Sequence, residues 1–233
     1  MAQLILIPTP IAEDRHQNTA PDVIAATLPL KHFVVERVKT ARRFLKVINP
    51  QVVIDDLSFF EIDKGFSEAD LYSFLEIMKS GVPVGLMSEA GCPAVADPGH
   101  LAVAWCHKNK IDVRPLIGPS SIMMALMASG FNGQQFTFHG YLPNKKPELI
   151  PRLKNLDNLI EKQGATQIFI ETPYRNGFMI ETCLEALPPH RLLCVAAALD
   201  QENEYIKTQT IAAWKKVDLA FLHKQPAVFL LGK

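Results

Sequence analysis

The sequence has no long apolar run, no excess of either charge and no paired cysteines, and each absence argues against a class of protein. Its opening residues, Met1-Ala2-Gln3-Leu4-Ile5-Leu6-Ile7-Pro8, hold only four consecutive apolar residues before a proline and lack a basic start. Such a stretch is too short to span a membrane and is unlike a secretory signal; it reads as a first, buried strand. Cys92, Cys106, Cys183 and Cys194 are scattered, with no C-x-x-C pair or nearby Cys/His ligand cluster. Neither a disulfide framework nor a structural zinc is signalled, and the cytoplasm is the expected location. The seven histidines show no H-E-x-x-H or other paired spacing, so no metal is expected. No G-x-S-x-G elbow is present either, which leaves Ser120 and Ser121 without the setting of a hydrolase nucleophile. Internal repeats and low-complexity tracts are absent.

The 24 basic and 24 acidic residues cancel, which argues against a surface coated in positive charge for non-specific nucleic-acid binding. Any RNA contact has to be local. One local candidate exists: Arg37, Lys39, Arg42, Arg43 and Lys46 place five positive charges in ten residues with no acid among them. A solvated helix face would look the same.

What is present is a chain of 233 residues, 48% hydrophobic and 21% charged, enough for one large or two small packed domains. The first half alternates short apolar runs with helical patterns, which predicts an α/β unit with a mainly parallel sheet. Strands are expected at residues 4–7, 32–36, 83–87, 113–116 and 136–140. Helices are expected at 21–27, 40–47, 68–78, 96–109 and 120–128, where apolar residues recur at three and four. The segment Tyr141-Leu142-Pro143-Asn144-Lys145-Lys146-Pro147 brackets polar residues with prolines and reads as a linker, dividing a domain of residues 1–142 from one of residues 143–233. Beyond it, helices at 149–163 and 176–187 and strands at 167–171, 191–199, 204–210 and 227–231 predict a smaller α+β domain.

Two turns hold the chemistry. In Val84-Gly85-Leu86-Met87-Ser88-Glu89-Ala90-Gly91-Cys92-Pro93, a buried strand ends in small residues, a carboxylate and a glycine, followed by Ala94-Val95-Ala96-Asp97-Pro98-Gly99. Small residues let a ligand approach the backbone, and Asp97 is placed to cap the next helix. Leu116-Ile117-Gly118-Pro119-Ser120-Ser121 opens a second helix in the same manner. In open α/β sheets ligands bind at such carboxyl ends of strands. An ordinary strand-to-helix connection needs Gly and Pro too, so spacing leaves both readings open.

The order of motifs is more specific. Residues 88–99 resemble the S-D-A-G-x-P-x-x-x-D-P-G loop of the ribosomal RNA ribose 2′-O-methyltransferase branch of the tetrapyrrole methylase superfamily. Pro8-Thr9-Pro10-Ile11 resembles its A-T-P-I-G loop, and residues 36–45 resemble its E-D-T-R-x-T-x-x-L-L segment. Gly118-Pro119-Ser120-Ser121 resembles its P-G-P-S/C-A helix start, Phe138-His139-Gly140-Tyr141-Leu142-Pro143 its F-x-G-Y-L-P, and Phe169-Ile170-Glu171-Thr172-Pro173-Tyr174-Arg175 its F-Y-E-S-P-H-R. The likeness runs over residues 4–187, with a looser end.

The resemblance implies a two-domain tetrapyrrole-methylase-like α/β fold, a parallel first sheet and a smaller second domain with a mixed sheet, and an S-adenosylmethionine cleft between them. It also implies a homodimer and, as partner, ribosomal RNA or the small ribosomal subunit, methylated at the 2′-oxygen of a cytidine. The missing G-x-G-x-x-G then follows, since this superfamily binds its donor without that fingerprint. Cofactor contacts are implied for Pro10, Ser88, Glu89, Ala90, Gly91, Cys92, Pro93, Val95, Ser120, Ser121, Thr172, Pro226 and Ala227.

Departures from the family fall in the cofactor loop, in the basic segment and in two further stretches, at residues 61–66 and 196–204, where a substrate would be met. Glu89 stands in place of Asp, Cys92 in place of Thr, and Arg37-Val38-Lys39 in place of Asp-Thr-Arg. The family's H-N-E segment reads Glu61-Ile62-Asp63-Lys64-Gly65-Phe66, and its A-R-E-L-T-K-x-x-E-E stretch reads Ala196-Ala197-Ala198-Leu199-Asp200-Gln201-Glu202-Asn203-Glu204.

Methyl transfer from a sulfonium to oxygen is an in-line displacement, so the protein's main task is alignment, with a base if the acceptor is a hydroxyl. Glu36 is the candidate base, with Glu89 as alternative, and Lys39 and Arg43 are candidates to steady developing negative charge. Arg42 and Arg175 are candidates to hold phosphate. His139, at a strand end, has a structural reading beside a functional one. Two other functions fit the same loops: methylation of a small molecule such as a tetrapyrrole, and donor binding without catalysis. The loop at residues 88–99, unlike a G-D-P-x-x-Y-G form, speaks against the first of these.

Overall fold

The computed structural model describes residues 2–12, 14–62 and 65–233, in two compact units, Met1–Ser120 and Ser121–Lys233. Of the altered segment at residues 61–66, Asp63 and Lys64 lie outside the described residues.

The first unit runs β1 (Gln3–Ile7), α1 (Pro21–Thr27), β2 (His32–Val35), α2 (Val38–Ile48), β3 (Ser58–Glu61), α3 (Glu68–Leu75), β4 (Val84–Met87), α4 (His100–Lys108) and β5 (Asp112–Pro115). Its strands form one sheet in the order β3-β2-β4-β1-β5, every pair parallel. A parallel sheet covered on both faces needs strands that are near-continuously apolar, and the inner strands here are, apart from Gln3 and His32 at the starts of β1 and β2. The strand period of two then sorts the side chains. Leu4, Val34, Val84 and Leu86 pack on one face with Leu71, Leu75, Ala102 and Trp105 of α3 and α4. Ile5, Ile7, Phe33, Val35 and Met87 pack on the other with Val23 of α1 and Ala41, Phe44 and Leu45 of α2. Because α2 buries Ala41, Phe44 and Leu45, its opposite stripe, Lys39, Arg42, Arg43 and Lys46, stands in solvent.

The second unit runs α5 (Ser121–Ser129), β6 (Phe136–Tyr141), α6 (Lys146–Gln163), β7 (Thr166–Glu171), α7 (Asn176–Ala186), β8 (Leu192–Ala197), β9 (Tyr205–Thr210), α8 (Ile211–Trp214) and β10 (Ala227–Gly232). The sheet order is β6-β7-β10-β8-β9; β6 and β7 are parallel and the other pairs antiparallel, so the sheet is mixed. Central β10 is buried at every residue. Phe169 and Phe229 stack at 5.6 Å beneath Leu149, Leu153, Met179 and Ile180 of α6 and α7. On the opposite face, Ile168, Cys194, Val228 and Leu230 meet Ala125 and Leu126 of α5. Arg191 ties this unit's end together, since it donates to Asp157 at 2.5 Å, to Glu161, and to the Gly232 carbonyl at 3.1 Å. A buried guanidinium is tolerable only with its charge and N–H groups matched in this manner.

Three of the differences from expectation concern the division of the chain and the candidate loop. The division falls at Ser120/Ser121 instead of residues 142/143, because β6 pairs with β7 of the second sheet and α5 packs on that sheet. The second unit therefore has as many strands as the first and is not markedly smaller. Helix α4 starts at His100, not Ala96, because Asp97 folds the preceding residues into a turn of its own.

Candidate functional site

In the first unit the strand order brings two loops together. From β1 the chain leaves toward β2, past β4, while from β4 it leaves toward β5, past β1, so the two connections overlap at the carboxyl ends of neighbouring strands. Thr9 and Gly91 exchange both backbone hydrogen bonds at 3.0 Å, and the Thr9 hydroxyl donates to the Ser88 carbonyl at 3.4 Å. Ser88, buried, donates back to the Ala90 and Gly91 carbonyls at 3.3 and 3.4 Å. Gly91 has φ +79°, a conformation that a side chain would strain.

The third predicted loop joins them. A Cβ on Gly118 would fall 2.1 Å from Pro8 Cβ, so glycine alone lets this backbone rest on the first loop. The Cys92 thiol donates to the Pro119 carbonyl at 3.2 Å, and burial pushes its pKa up, which keeps it a thiol. Cys106 and Cys183, fully buried, are pushed to about 12, in line with a filler role. Pro10, Ser88, Glu89, Ala90, Gly91, Cys92, Pro93 and Val95 thus lie on loops joined by direct contacts, and Val95 is exposed.

Asp97 shapes the far half of the loop. Its carboxylate accepts from Ala94 N at 2.9 Å and from Gly99 N at 2.7 Å, which holds Ala94 and Ala96 at φ +66° and +64°. Two non-glycine residues in the left-handed region within three positions store strain that the carboxylate offsets. Burial, with the nearby Glu36 charge adding, raises the Asp97 pKa despite those two bonds.

The basic helix is fastened to the same loop. The Glu36 carboxylate accepts from Glu89 N at 2.9 Å; the Glu89 carboxylate accepts from the Thr40 hydroxyl at 3.1 Å and lies 3.6 Å from Arg37 Nε. Glu61 of β3 accepts from Val38 N at 2.5 Å and so caps α2 from a different strand. Lys39 and Arg43 stand one turn apart on the exposed stripe, and Arg42 lies 5.5 Å over the Phe59 ring. Thr9, Thr40 and Glu61 are the contributors that sequence reasoning missed. The partners of Thr40 and Glu61 are 49 and 23 positions away, beyond any local pattern.

The second unit gathers its own set at one end of its sheet. Ala227 pairs with Glu171 on one side and Ala197 on the other, which places the Pro226-Ala227 turn beside the residues that follow β7. Glu171, whose side chain is fully buried, accepts from Thr172 N at 2.7 Å and from Arg175 Nη2 at 2.6 Å. Arg175 is therefore neutralised by a partner one turn away, and its guanidinium keeps other N–H groups for a ligand. Ser121 opens α5, at the start of this unit. His139 is structural: Arg152, which can only donate, meets its Nδ1 at 2.9 Å, so the ring's proton sits on Nε2 and is given to Gln167 Oε1 at 2.8 Å. Burial, with Arg152 adding to it, lowers the His139 pKa and keeps the ring neutral.

No family model matches the chain. It is 33% identical to the ribosomal RNA small subunit methyltransferase I of Buchnera aphidicola subsp. Schizaphis graminum over 157 residues, 66% of this chain and 54% of the relative. It is 29% identical to the protein of the same name from Thermotoga maritima over 207 residues, 89% of this chain and 88% of the relative. The match to the first spans only about half of that relative's length. Among solved structures, the methyltransferase CobJ superposes with a TM-score of 0.63 at 18% identity, covering 100% of this chain and 94% of that one. Uroporphyrin-III-C-methyltransferase from Thermus thermophilus gives 0.57 at 15% identity, covering 100% and 92%. At these identities the structural likeness establishes the fold alone.

Proposed function

The chain has the tetrapyrrole methylase fold and is a relative of the ribosomal RNA small subunit methyltransferases I, and from that premise we propose that it is an S-adenosylmethionine-dependent methyltransferase of small-subunit ribosomal RNA, acting on the 2′-oxygen of a cytidine. The observation that carries this reading is the convergence, by direct contact, of residues 8–10, 88–99 and 118–120 at the carboxyl ends of β1, β4 and β5.

The residues suit such a donor. Ala90 and Gly91 give close access to the backbone, Ser88 supplies a held hydroxyl, and Gly118 has no room for a side chain. Donor contacts are assigned to Pro10, Ser88, Glu89, Ala90, Gly91, Cys92, Pro93, Val95 and Ser120 in the first unit and to Ser121, Thr172, Pro226 and Ala227 in the second. When bound, the donor supplies a methyl group on a sulfonium, already activated, so the chain's part is to orient the acceptor and take up its proton.

Glu36 is assigned the proton. One of its oxygens accepts the Glu89 amide, which fixes the carboxylate's direction and leaves the other for a ribose hydroxyl, directly or through one water. Lys39 and Arg43, on the exposed stripe of α2, steady the alkoxide or neighbouring phosphates, and Arg42 and Arg175 hold phosphate. In a chain of zero net charge, this stripe supplies the local positive surface that a polyanion needs. A homodimer acting in the cytoplasm completes the reading.

The ribosomal acceptor is favoured over a tetrapyrrole because the likeness in sequence, at 29–33% identity, is to ribosomal RNA methyltransferases, whereas the uroporphyrin-III-C-methyltransferase shares the fold at 15%. Isothermal calorimetry with S-adenosylmethionine tests the donor site: saturable one-site binding is expected, and absence of binding defeats the proposal.

A further inference from the structure

Asn176 opens α7 and is completely buried, yet it belongs to none of the groups assigned above. Its amide nitrogen donates to the Gln225 carbonyl at 2.6 Å and approaches the Leu222 carbonyl at 3.5 Å, joining chain segments 49 and 46 positions apart. Its amide oxygen, also buried, has no hydrogen-bond partner. A side chain there only to fill space would be apolar, since an unmatched buried acceptor carries a desolvation cost. The amide's use lies in its two N–H groups, and both go to the segment that leads into Pro226 and Ala227.

That segment is held from a second side. Ala198 N donates to the Pro226 carbonyl at 2.9 Å, and Ala198 itself sits at φ +51°. The turn before β10 is therefore fixed between Asn176 at the head of α7 and Ala198 past the end of β8. Immediately before Asn176 come Thr172 and Arg175, which Glu171 secures. One buried side chain thus joins the two short segments of this unit that carry Thr172 and the Pro226-Ala227 turn.

We propose that Asn176 is a positioning residue for the donor site: through its amide it sets the Gln225-Pro226-Ala227 turn against the Thr172–Arg175 loop, without touching the donor. This inference rests on the donor reading given above. It accounts for a completely buried amide whose N–H groups are both turned to one turn of the chain, which a purely packing role does not.

The test is calorimetric titration of the full chain with S-adenosylmethionine, for the wild type, Asn176→Ala, Asn176→Asp and Thr182→Ala. Thr182, buried on the same helix and bonded to the Phe178 carbonyl at 2.7 Å, is the control for lost stability without lost positioning. Asn176→Ala is expected to weaken donor binding about tenfold, while Thr182→Ala lowers the melting temperature and leaves affinity unchanged. Asn176→Asp keeps the shape, and carries the test if the Ala variant does not fold. Ionised, it cannot donate to Gln225; protonated, it can. Its affinity should therefore recover as pH falls, a dependence absent from the wild type. Wild-type affinity in both Asn176 variants at every pH, or an equal loss in Thr182→Ala, overturns the inference alone. A wild type that binds no donor overturns the donor reading and this inference together.

Discussion

Gly118 rests on Pro8 so closely that one added carbon would stand 2.1 Å from Pro8 Cβ and 2.3 Å from its Cγ. The contact joins the loop after β5 to the loop after β1, and both flank the segment at residues 88–99. Gly118→Ala must push one loop off the other. Overpacking of this kind costs about 1–3 kcal/mol, and a fall in the urea midpoint together with weaker S-adenosylmethionine binding is expected. An unchanged affinity would mean that the loops bind nothing in common.

The pH response of the loop is set by Asp97. Burial raises its folded-state pKa above the ordinary 3.8, so the fold takes up the proton more readily than the unfolded chain. The stability this provides is complete below 3.8 and is lost as pH rises through the raised value. Relative to Asp97→Asn, which does not titrate, the wild type should therefore lose stability as pH climbs from 3.8. Denaturant titrations at a series of pH values check this, and the opposite slope would refute it. Asp97→Ala removes the acceptor for Ala94 and Gly99 altogether and should cost about 1–3 kcal/mol for each amide left unmatched.

How Asp97 works also shows what the sequence could and could not reveal. The inner strands of the first sheet, β1, β2 and β4, were legible because a doubly covered parallel strand is a near-continuous apolar run, as in Val84-Gly85-Leu86-Met87. The start of α4 was misplaced by four residues because Ala96 and Asp97 suit a helix start; only the bonds to Ala94 and Gly99 show that Asp97 closes an earlier turn. Strand β3 went unread: four residues, Ser58-Phe59-Phe60-Glu61, show neither alternation nor a long run. Strand β6 was read as a strand, but its neighbour is settled by packing, which local pattern does not encode. The three loops of the first unit were legible as loops from their Gly, Pro and Ser content. The residues that brace them and the neighbouring helix α2, Thr9, Thr40 and Glu61, were not, since each acts through a partner 79, 49 or 23 positions away that only the fold brings near.

Glu36 separates holding from chemistry. Glu36→Gln keeps an oxygen to accept the Glu89 amide but cannot take a proton, so kcat should fall about 10²–10⁴-fold while the KM for S-adenosylmethionine stays constant. Glu36→Ala removes both functions and should also raise that KM. If Glu36→Gln turns over at the wild-type rate, the proton goes elsewhere.

The exposed stripe of α2 makes a salt-dependence prediction. Each phosphate contact with single-stranded RNA adds about 0.7 to the slope of log affinity against log salt. Lys39→Ala with Arg42→Ala should therefore flatten the slope by about 1.4 while S-adenosylmethionine affinity is unchanged, because both residues are exposed and, among the described residues, neither bonds to the loops assigned to the donor. An unaltered slope would place the RNA on another surface.

The most direct test of the whole account is transfer of tritiated methyl from S-adenosylmethionine to small ribosomal subunits purified from cells that lack this protein, followed by nucleoside analysis of the RNA. The account predicts label in small-subunit RNA, recovered as a 2′-O-methylcytidine and lost with Glu36→Gln. Donor binding with no label in that RNA, or label transferred to a tetrapyrrole instead, would contradict it.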